Sequence, residues 1–268
     1  MPRALTVAAQ SEISNRKGAI NVRIIAVMSG KGGVGKSFVA TGLAAALQRR
    51  TGAVGVLDAD IIGASVPHLL GVPRGAKVDA DGKFIPGVGA NGIKVASMSL
   101  MLPADNKAVI WRGPMISNAI GQLYNDTLWG DTEYLVVDLP PGTSDAALTV
   151  LQTIQPDGIV VVTTPQDMVT NIAHHAQDMA DAIGTKVIGL VMNMAYVMCP
   201  HCDERINVFG SATEVPEDGP AQLATLPLVP EWAALADSGR AAETATEKFD
   251  ALAERVLSEI AAEESAAI

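Results

Sequence analysis

The chain carries two cysteines in 268 residues, and both, Cys199 and Cys202, fall in one short stretch. One local pair cannot form a disulfide framework for a chain of this length, so the two thiols read as a local chemical pair. Cations are scarce too: 19 Lys and Arg against 29 Asp and Glu leave a net charge of −10. Without a cluster of Lys and Arg there is no stripe to neutralise nucleic-acid phosphates, and no nucleic-acid partner is expected. No uninterrupted apolar run approaches a membrane span of roughly 20 residues. Residues 1–20 mix polar and charged side chains without a signal-type apolar core. A cytoplasmic protein with no membrane partner is the expectation. Internal repeats and low-complexity tracts are also missing. Apolar content is what the chain has in quantity, 49% of its residues, enough to bury a large core. Parallel α/β units often reach this size as one domain.

The densest signal is Gly30-Lys31-Gly32-Gly33-Val34-Gly35-Lys36-Ser37, which fits G-x-x-x-x-G-K-[ST] and adds a lysine after the first glycine. An apolar run at 24–28 precedes it, and a helix-compatible run starting at Phe38 follows, which is the strand–loop–helix setting of a phosphate loop. The glycines let consecutive N–H groups point inward, and the following helix adds its positive end. Lys36 would reach the β- and γ-phosphates of ATP, and the Ser37 hydroxyl would ligate Mg²⁺. Lys31 stands too early in the loop to share that position. Its side chain is therefore read as pointing outward, toward a nucleotide held by a second copy of the chain. A Gly-rich turn with solvated lysines is the plainer alternative, and the flanking strand and helix weigh against it.

Apolar runs at 24–28, 53–57, 93–98, 134–137, 159–162, 187–192 and 226–229 read as buried strands. The stretches 115–128, 144–154 and 168–183 are long enough for crossover helices. The pattern predicts a doubly wound α/β fold with a mostly parallel sheet covered on both faces. The organisation expected is a flexible segment over 1–20, a single domain over 21–262 and an acidic tail over 263–268. Residues 72–91 read as an excursion with a hairpin around Asp81-Gly82, 211–220 as an acidic loop, and 241–268 as helical.

In such sheets ligands sit beyond the carboxyl ends of the strands. Asp58 and Asp60 follow the second run; alternate residues share a side, so the two can converge. Asp60 is assigned the attacking water and a place in or beside the Mg²⁺ shell; a pair of turn-forming aspartates is the structural alternative. Asp138 ends the fourth run as a second Mg²⁺-shell candidate, and Pro140-Pro141-Gly142 makes a stiff exit able to sense the γ-phosphate. Thr163-Thr164-Pro165-Gln166 and Asn193 close the next two strands. Asn193 is a candidate for the adenine edge, or an ordinary turn former. Cys199-Pro200-His201-Cys202 admits three readings. A redox dithiol belongs in another structural context. A zinc site within one chain needs four converging ligands, which close neighbours such as His201 and Asp203 rarely provide. Two thiolates from each of two chains give Cys₄, suited to a [4Fe–4S] cluster or zinc between subunits.

Together these residues resemble the Mrp/Nbp35 (ApbC-like) family of iron–sulfur cluster carrier P-loop ATPases, in the deviant phosphate-loop group that also holds MinD, ParA and the nitrogenase iron protein. The likeness covers residues 24–240. It is carried by the phosphate loop, the Asp58 and Asp138 segments, Trp111-Arg112-Gly113-Pro114-Met115, Asn193-Met194 and Cys199-Pro200-His201-Cys202. The resemblance implies nucleotide contacts from Gly30, Lys31, Gly32, Gly33, Val34, Gly35, Lys36, Ser37, Phe38 and Asn193. It further implies a homodimer closed around ATP with Lys31 serving the shared site, Lys31, Lys36 and Asp60 as catalytic residues, and a [4Fe–4S] cluster bridged by Cys199 and Cys202. Apo iron–sulfur proteins and a cluster assembly scaffold are the implied partners. Ala64, Ser144 and Ala195 depart from the family pattern and leave the acidic residues intact. A MinD- or ParA-type positioning ATPase and a zinc or redox switch are the rival readings. Against the first stands the region after Arg255, which has no Lys or Arg and contains Glu259, Glu263 and Glu264.

Overall fold

The computed structural model describes residues 22–89, 91–101, 113–143, 145–165, 169–209 and 219–266. Residues 1–20, Trp111, Arg112, Ser144, Gln166 and most of the acidic loop, 211–218, lie outside them. Among the described residues the strands are β1 (Arg23–Ser29), β2 (Val54–Asp58), β3 (Lys77–Val78), β4 (Phe84–Ile85), β5 (Gly87–Val88), β6 (Lys94–Ser97), β7 (Tyr134–Asp138), β8 (Gly158–Thr163), β9 (Val187–Met192), β10 (Val197–Met198), β11 (Arg205–Ile206) and β12 (Gln222–Thr225). The helices are α1 (Lys36–Thr51), α2 (Val66–Leu69), α3 (Gly113–Asp126), α4 (Asp145–Ile154), α5 (Val169–Ile183), α6 (Pro230–Asp237) and α7 (Thr246–Ala266).

Eight strands make one sheet in the order β12-β9-β8-β1-β7-β2-β6-β5. Every neighbouring pair is parallel except β5 with β6 at the edge. Strands β1, β2, β7 and β8 are apolar along almost their whole length because both sheet faces are covered, the pattern that makes parallel strands read as continuous runs. On one face α1 and α7 pack through Val39, Leu43, Leu47, Phe249, Leu252 and Val256. On the other, α3, α4 and α5 contribute Ile120, Leu123, Val150, Leu151, Ala173 and Ala176. The close approach of α1 to α7 depends on Gly42, where an added Cβ would stand 2.3 Å from the Phe249 ring. The doubly wound α/β expectation therefore holds, and no described helix is long and apolar enough to cross a membrane.

The hairpin expected around Asp81-Gly82 forms between β3 and β4. Its turn is fixed by Asp79, whose Oδ1 accepts the N–H groups of Asp81 at 2.9 Å and Lys83 at 2.8 Å. One strand is displaced. The run at 226–229 is not a strand; β12 lies just upstream, at Gln222–Thr225. The Leu226 N–H still reaches the Met192 carbonyl at 2.8 Å, but Pro227 has no N–H to extend the ladder, and Pro230 opens α6. The placement of β1 between β7 and β8 matters most for function. Chain order departs from β1 in opposite directions, leaving a crevice at the carboxyl ends of the strands, directly where the phosphate loop emerges.

Candidate functional site

Residues 30–35 link the end of β1 to the first turn of α1, so the loop's N–H groups and the helix N-terminus face the same crevice. Gly35 caps α1 at φ 81°, in the left-handed region. A Cβ there would lie 2.2 Å from Asn193 Nδ2, so the position excludes a side chain on two counts. That Asn193 amide, 3% exposed, donates to the Val34 carbonyl at 2.8 Å and so braces the loop from the end of β9. Its Nδ2 is thus committed to the phosphate loop, while the residue as a whole lines the neighbouring cleft. Lys31 is exposed at the outer rim of the loop, and the Ser29 hydroxyl donates to its carbonyl at 3.0 Å.

Lys36 is buried and its Nζ meets Asp138 Oδ1 at 2.6 Å, a fully interior ion pair linking the first turn of α1 to the end of β7. Asp138 Oδ2 has no hydrogen-bond partner among the described residues. Burial pushes the Asp138 carboxyl up, and Lys36, with the nearby Ser37 hydroxyl, works against that shift. A buried, unpartnered carboxylate oxygen beside a serine hydroxyl is a donor set that suits a hard, oxygen-seeking cation.

Asp58 sits directly across from Asp138 in the β2–β7 register. Burial, then the charge of Asp138, pushes its carboxyl up to about 8. The burial and the neighbouring charge thus favour the protonated form of Asp58. Its oxygens accept from Asp60 N–H at 3.3 Å, Val66 N–H at 3.3 Å and the Ser97 hydroxyl at 3.2 Å. The expected convergence of Asp58 and Asp60 is thus secondary to that of Asp58 and Asp138. The strand ends at Asp58, so alternation no longer places Asp60; its Oδ1 instead accepts the Gly63 N–H at 2.9 Å in the following turn. Gly142, after the paired prolines, donates its N–H to the Ser29 carbonyl at 2.9 Å, laying the exit of β7 across the start of the phosphate loop.

Beside the loop lies an apolar cleft of about 220 Å³ lined by Gly35, Phe38, Asn193, Met194, Pro227 and Trp232, among others. Phe38 stacks on Trp232 with centroids 6.2 Å apart and planes at 21°. Sequence reasoning reached Phe38 and Asn193 but missed Pro227, Leu228 and Trp232. The run at 226–229 reads as strand, and the signal for a cleft is Pro227 inside it with Pro230 just after it. A wider cavity, about 580 Å³ around Gln155, Asp157 and Lys186, opens at the amino ends of the strands, away from all of these groups.

Cys199 and Cys202 occupy the turn of the β10–β11 hairpin, which leaves the sheet after β9. The neck is clamped by the Cys199 N–H donating to Glu204 O at 2.9 Å and the Asp203 N–H donating to Cys199 O at 3.0 Å, with Asp203 at φ 56°. Arg205 lies over the ring of the buried Tyr196 at 4.6 Å, tying β11 to the residue that leads into β10. Cys202 is exposed and Cys199 half-buried. The His201 N–H, the Cys202 thiol and the Cys202 N–H, in that order, hold the Cys199 thiol below its ordinary range. No group of three or more His, Cys, Asp or Glu able to hold a metal occurs among the described residues. Around the turn, Met198, Ile206, Val208 and Phe209 expose apolar surface.

The structure therefore brings Gly30 to Phe38, Asp58, Asp60, Asp138 and Asn193 around one crevice, and sets the cysteines apart on a hairpin. A family model described as ParA, NUBPL iron-transfer P-loop NTPase, matches residues 21–263. Proteins named iron-sulfur cluster carrier protein are similar to this chain. The one from Haemophilus influenzae is 43% identical over 209 residues, which make up 78% of this chain and 56% of that protein. The one from Aquifex aeolicus is 42% identical over 237 residues, 86% of this chain and 64% of its own length. The chain thus spans little more than half the length of the first. Among solved structures, a nucleotide-binding protein of Archaeoglobus fulgidus in complex with ADP superposes with a TM-score of 0.72 at 37% identity, covering 87% of this chain and 92% of that one. The cell division ATPase MinD of Pyrococcus furiosus shares the fold, with a TM-score of 0.60 at 19% identity over 88% of this chain and 98% of its own.

Proposed function

Because the chain belongs to the ParA family of NUBPL iron-transfer P-loop NTPases, we propose that it is an ATP-hydrolysing carrier that holds a [4Fe–4S] cluster between two copies of itself and passes it to apo-proteins. The observation that carries this reading is the hairpin turn that presents two thiols, Cys199 and Cys202, with no third metal-binding group assembled beside them among the described residues. Two thiolates from each of two copies complete a four-sulfur site for the cluster as cargo. The apolar side chains of Met198, Ile206, Val208 and Phe209 would supply the non-polar core of the seam between copies.

On the nucleotide side, the loop N–H groups and the N-terminus of α1 bind the phosphates, and the adenine enters the cleft between Phe38, Met194, Pro227 and Trp232. Lys36 leaves Asp138 for the β- and γ-phosphates. Mg²⁺, when bound at Ser37 and the released Asp138, offsets the phosphate charge. Asp60, held at the mouth of the crevice by the Gly63 N–H, orients the attacking water. Lys31, on the outer rim, reaches the nucleotide of the twin subunit and stabilises charge there as the dimer closes. The Ser29–Gly142 hydrogen bond lets the exit of β7 follow the state of the loop. Apo iron–sulfur proteins and a cluster assembly scaffold are the partners this reading requires.

Anaerobic reconstitution with iron and sulfide tests it. Wild-type protein is expected to gain the cluster's absorption and bound iron, and a Cys199→Ala/Cys202→Ala variant to gain neither. Equal iron uptake by the two proteins would reject the carrier reading.

A further inference from the structure

Cys199 and Cys202 are three residues apart in sequence, yet the hairpin gives them unlike surroundings. Cys199 is at the neck, where its own N–H and C=O are both used, toward Glu204 and Asp203. The neck in turn is anchored: Arg205 stacks on Tyr196, and the Tyr196 carbonyl accepts the Leu228 N–H at 2.8 Å. Cys202 stands on the loop itself, exposed to solvent.

Resting on the carrier reading above, we infer that the two ligands are not equivalent: Cys199 is the anchoring ligand of the cluster, and Cys202 is the ligand exchanged first when the cluster passes to an acceptor. A ligand whose own backbone is pinned on both sides stays in place, whereas one on the exposed part of the turn can move off the metal and be replaced. A ligand exchange needs a proton acceptor. The acceptor protein's thiol forms a bond from its sulfur to iron, its proton moves to the departing Cys202 sulfur, and the iron–Cys202 bond breaks. Charge and electron count are conserved, and neither iron nor sulfur changes oxidation state. The exposed sulfur is the one an incoming thiol can reach along with its proton. Cys199 then holds the partly transferred cluster against loss to water until a second exchange of the same kind releases it.

The test uses wild-type protein loaded anaerobically with the cluster. Glutathione serves as the incoming thiol, and N-ethylmaleimide added at successive times alkylates whichever cysteine has come free. Trypsin, cutting after Lys186 and Arg205, leaves both cysteines on one peptide, 187–205, and fragmentation places the label. Early time points are expected to show singly labelled peptide with Cys202 marked in about tenfold excess over Cys199, which corresponds to ~1.4 kcal/mol between the two sites. Equal labelling, or Cys199 marked first, would overturn the order of exchange and leave the carrier reading intact. Wild-type protein that takes up no cluster would overturn the carrier reading, and the order of exchange with it.

Discussion

Replacing Asp58 with Asn is expected to stabilise the protein, and to do so increasingly as the pH rises. Asp58 is 1% exposed and faces Asp138 across the β2–β7 register, so its carboxyl is pushed from 3.8 up to about 8. Between those values the folded protein keeps a proton that the unfolded chain has lost. Stability therefore falls as pH rises through that window, and below about pH 4 the effect vanishes because both states are protonated. At 1.36 kcal/mol per pH unit the cost grows from about 2 kcal/mol at pH 5.5 to about 5 kcal/mol at pH 8. Asparagine carries no charge at either pH and escapes this cost. It can keep accepting from Val66 and Ser97, but its NH₂ group opposes the Asp60 N–H, a fixed penalty of about 1–2 kcal/mol. The variant should thus be nearly level with wild type at pH 5.5 and ahead by about 3 kcal/mol at pH 8. Urea unfolding at the two pH values measures this directly, as the change in midpoint at constant slope. A variant whose advantage is the same at both would show that Asp58 is already ionised in the fold, and the account of the paired carboxylates would fail.

Gly35→Ala is expected to destabilise by about 2–4 kcal/mol, from the left-handed backbone and from expulsion of the Asn193 amide that leaves the Val34 carbonyl bare; urea midpoints and nucleotide titration would both report it. Asp60→Ala should bind ATP as wild type does while losing hydrolysis; equal turnover would remove Asp60 from the water's side. Lys31→Ala should fold and bind nucleotide normally but lose ATPase activity and its dependence on protein concentration. Unchanged, concentration-independent turnover would place Lys31 outside the reaction.

Much of this architecture can be read before any coordinates because the strands are covered on both faces, which turns each into an unbroken apolar run with its chemistry just after it. Ser29 into the phosphate loop and Val137 into Asp138 show the rule. The edge breaks it: β12 has one neighbour, and of its four residues only Leu223 is buried, so its short alternating pattern is weaker than the apolar residues that follow. For the same reason the cleft residues Pro227 and Trp232 escape notice, since nothing in their spacing says that α6 folds back over the phosphate loop. Asp138 as a site residue is legible from sequence, but Asp58 as its facing partner is not. The pairing of Asp58 with Asp138 is a matter of strand order, β7 lying beside β2, and 80 residues separate them in the chain.

The ion pair between Lys36 and Asp138 has a bearing on what the loop will accept. A ligand arriving at the loop does not meet a bare cation; it has to replace one carboxylate already in place, in an interior where charges interact strongly. A singly charged anion would trade like for like and gain little. A polyphosphate brings several charges, engages Lys36 with one and leaves the rest for the N–H groups and a metal ion. On the proposed function, the internal carboxylate would set a threshold, so that the loop would sort its ligands by how many charges they carry before any contact with the base is made.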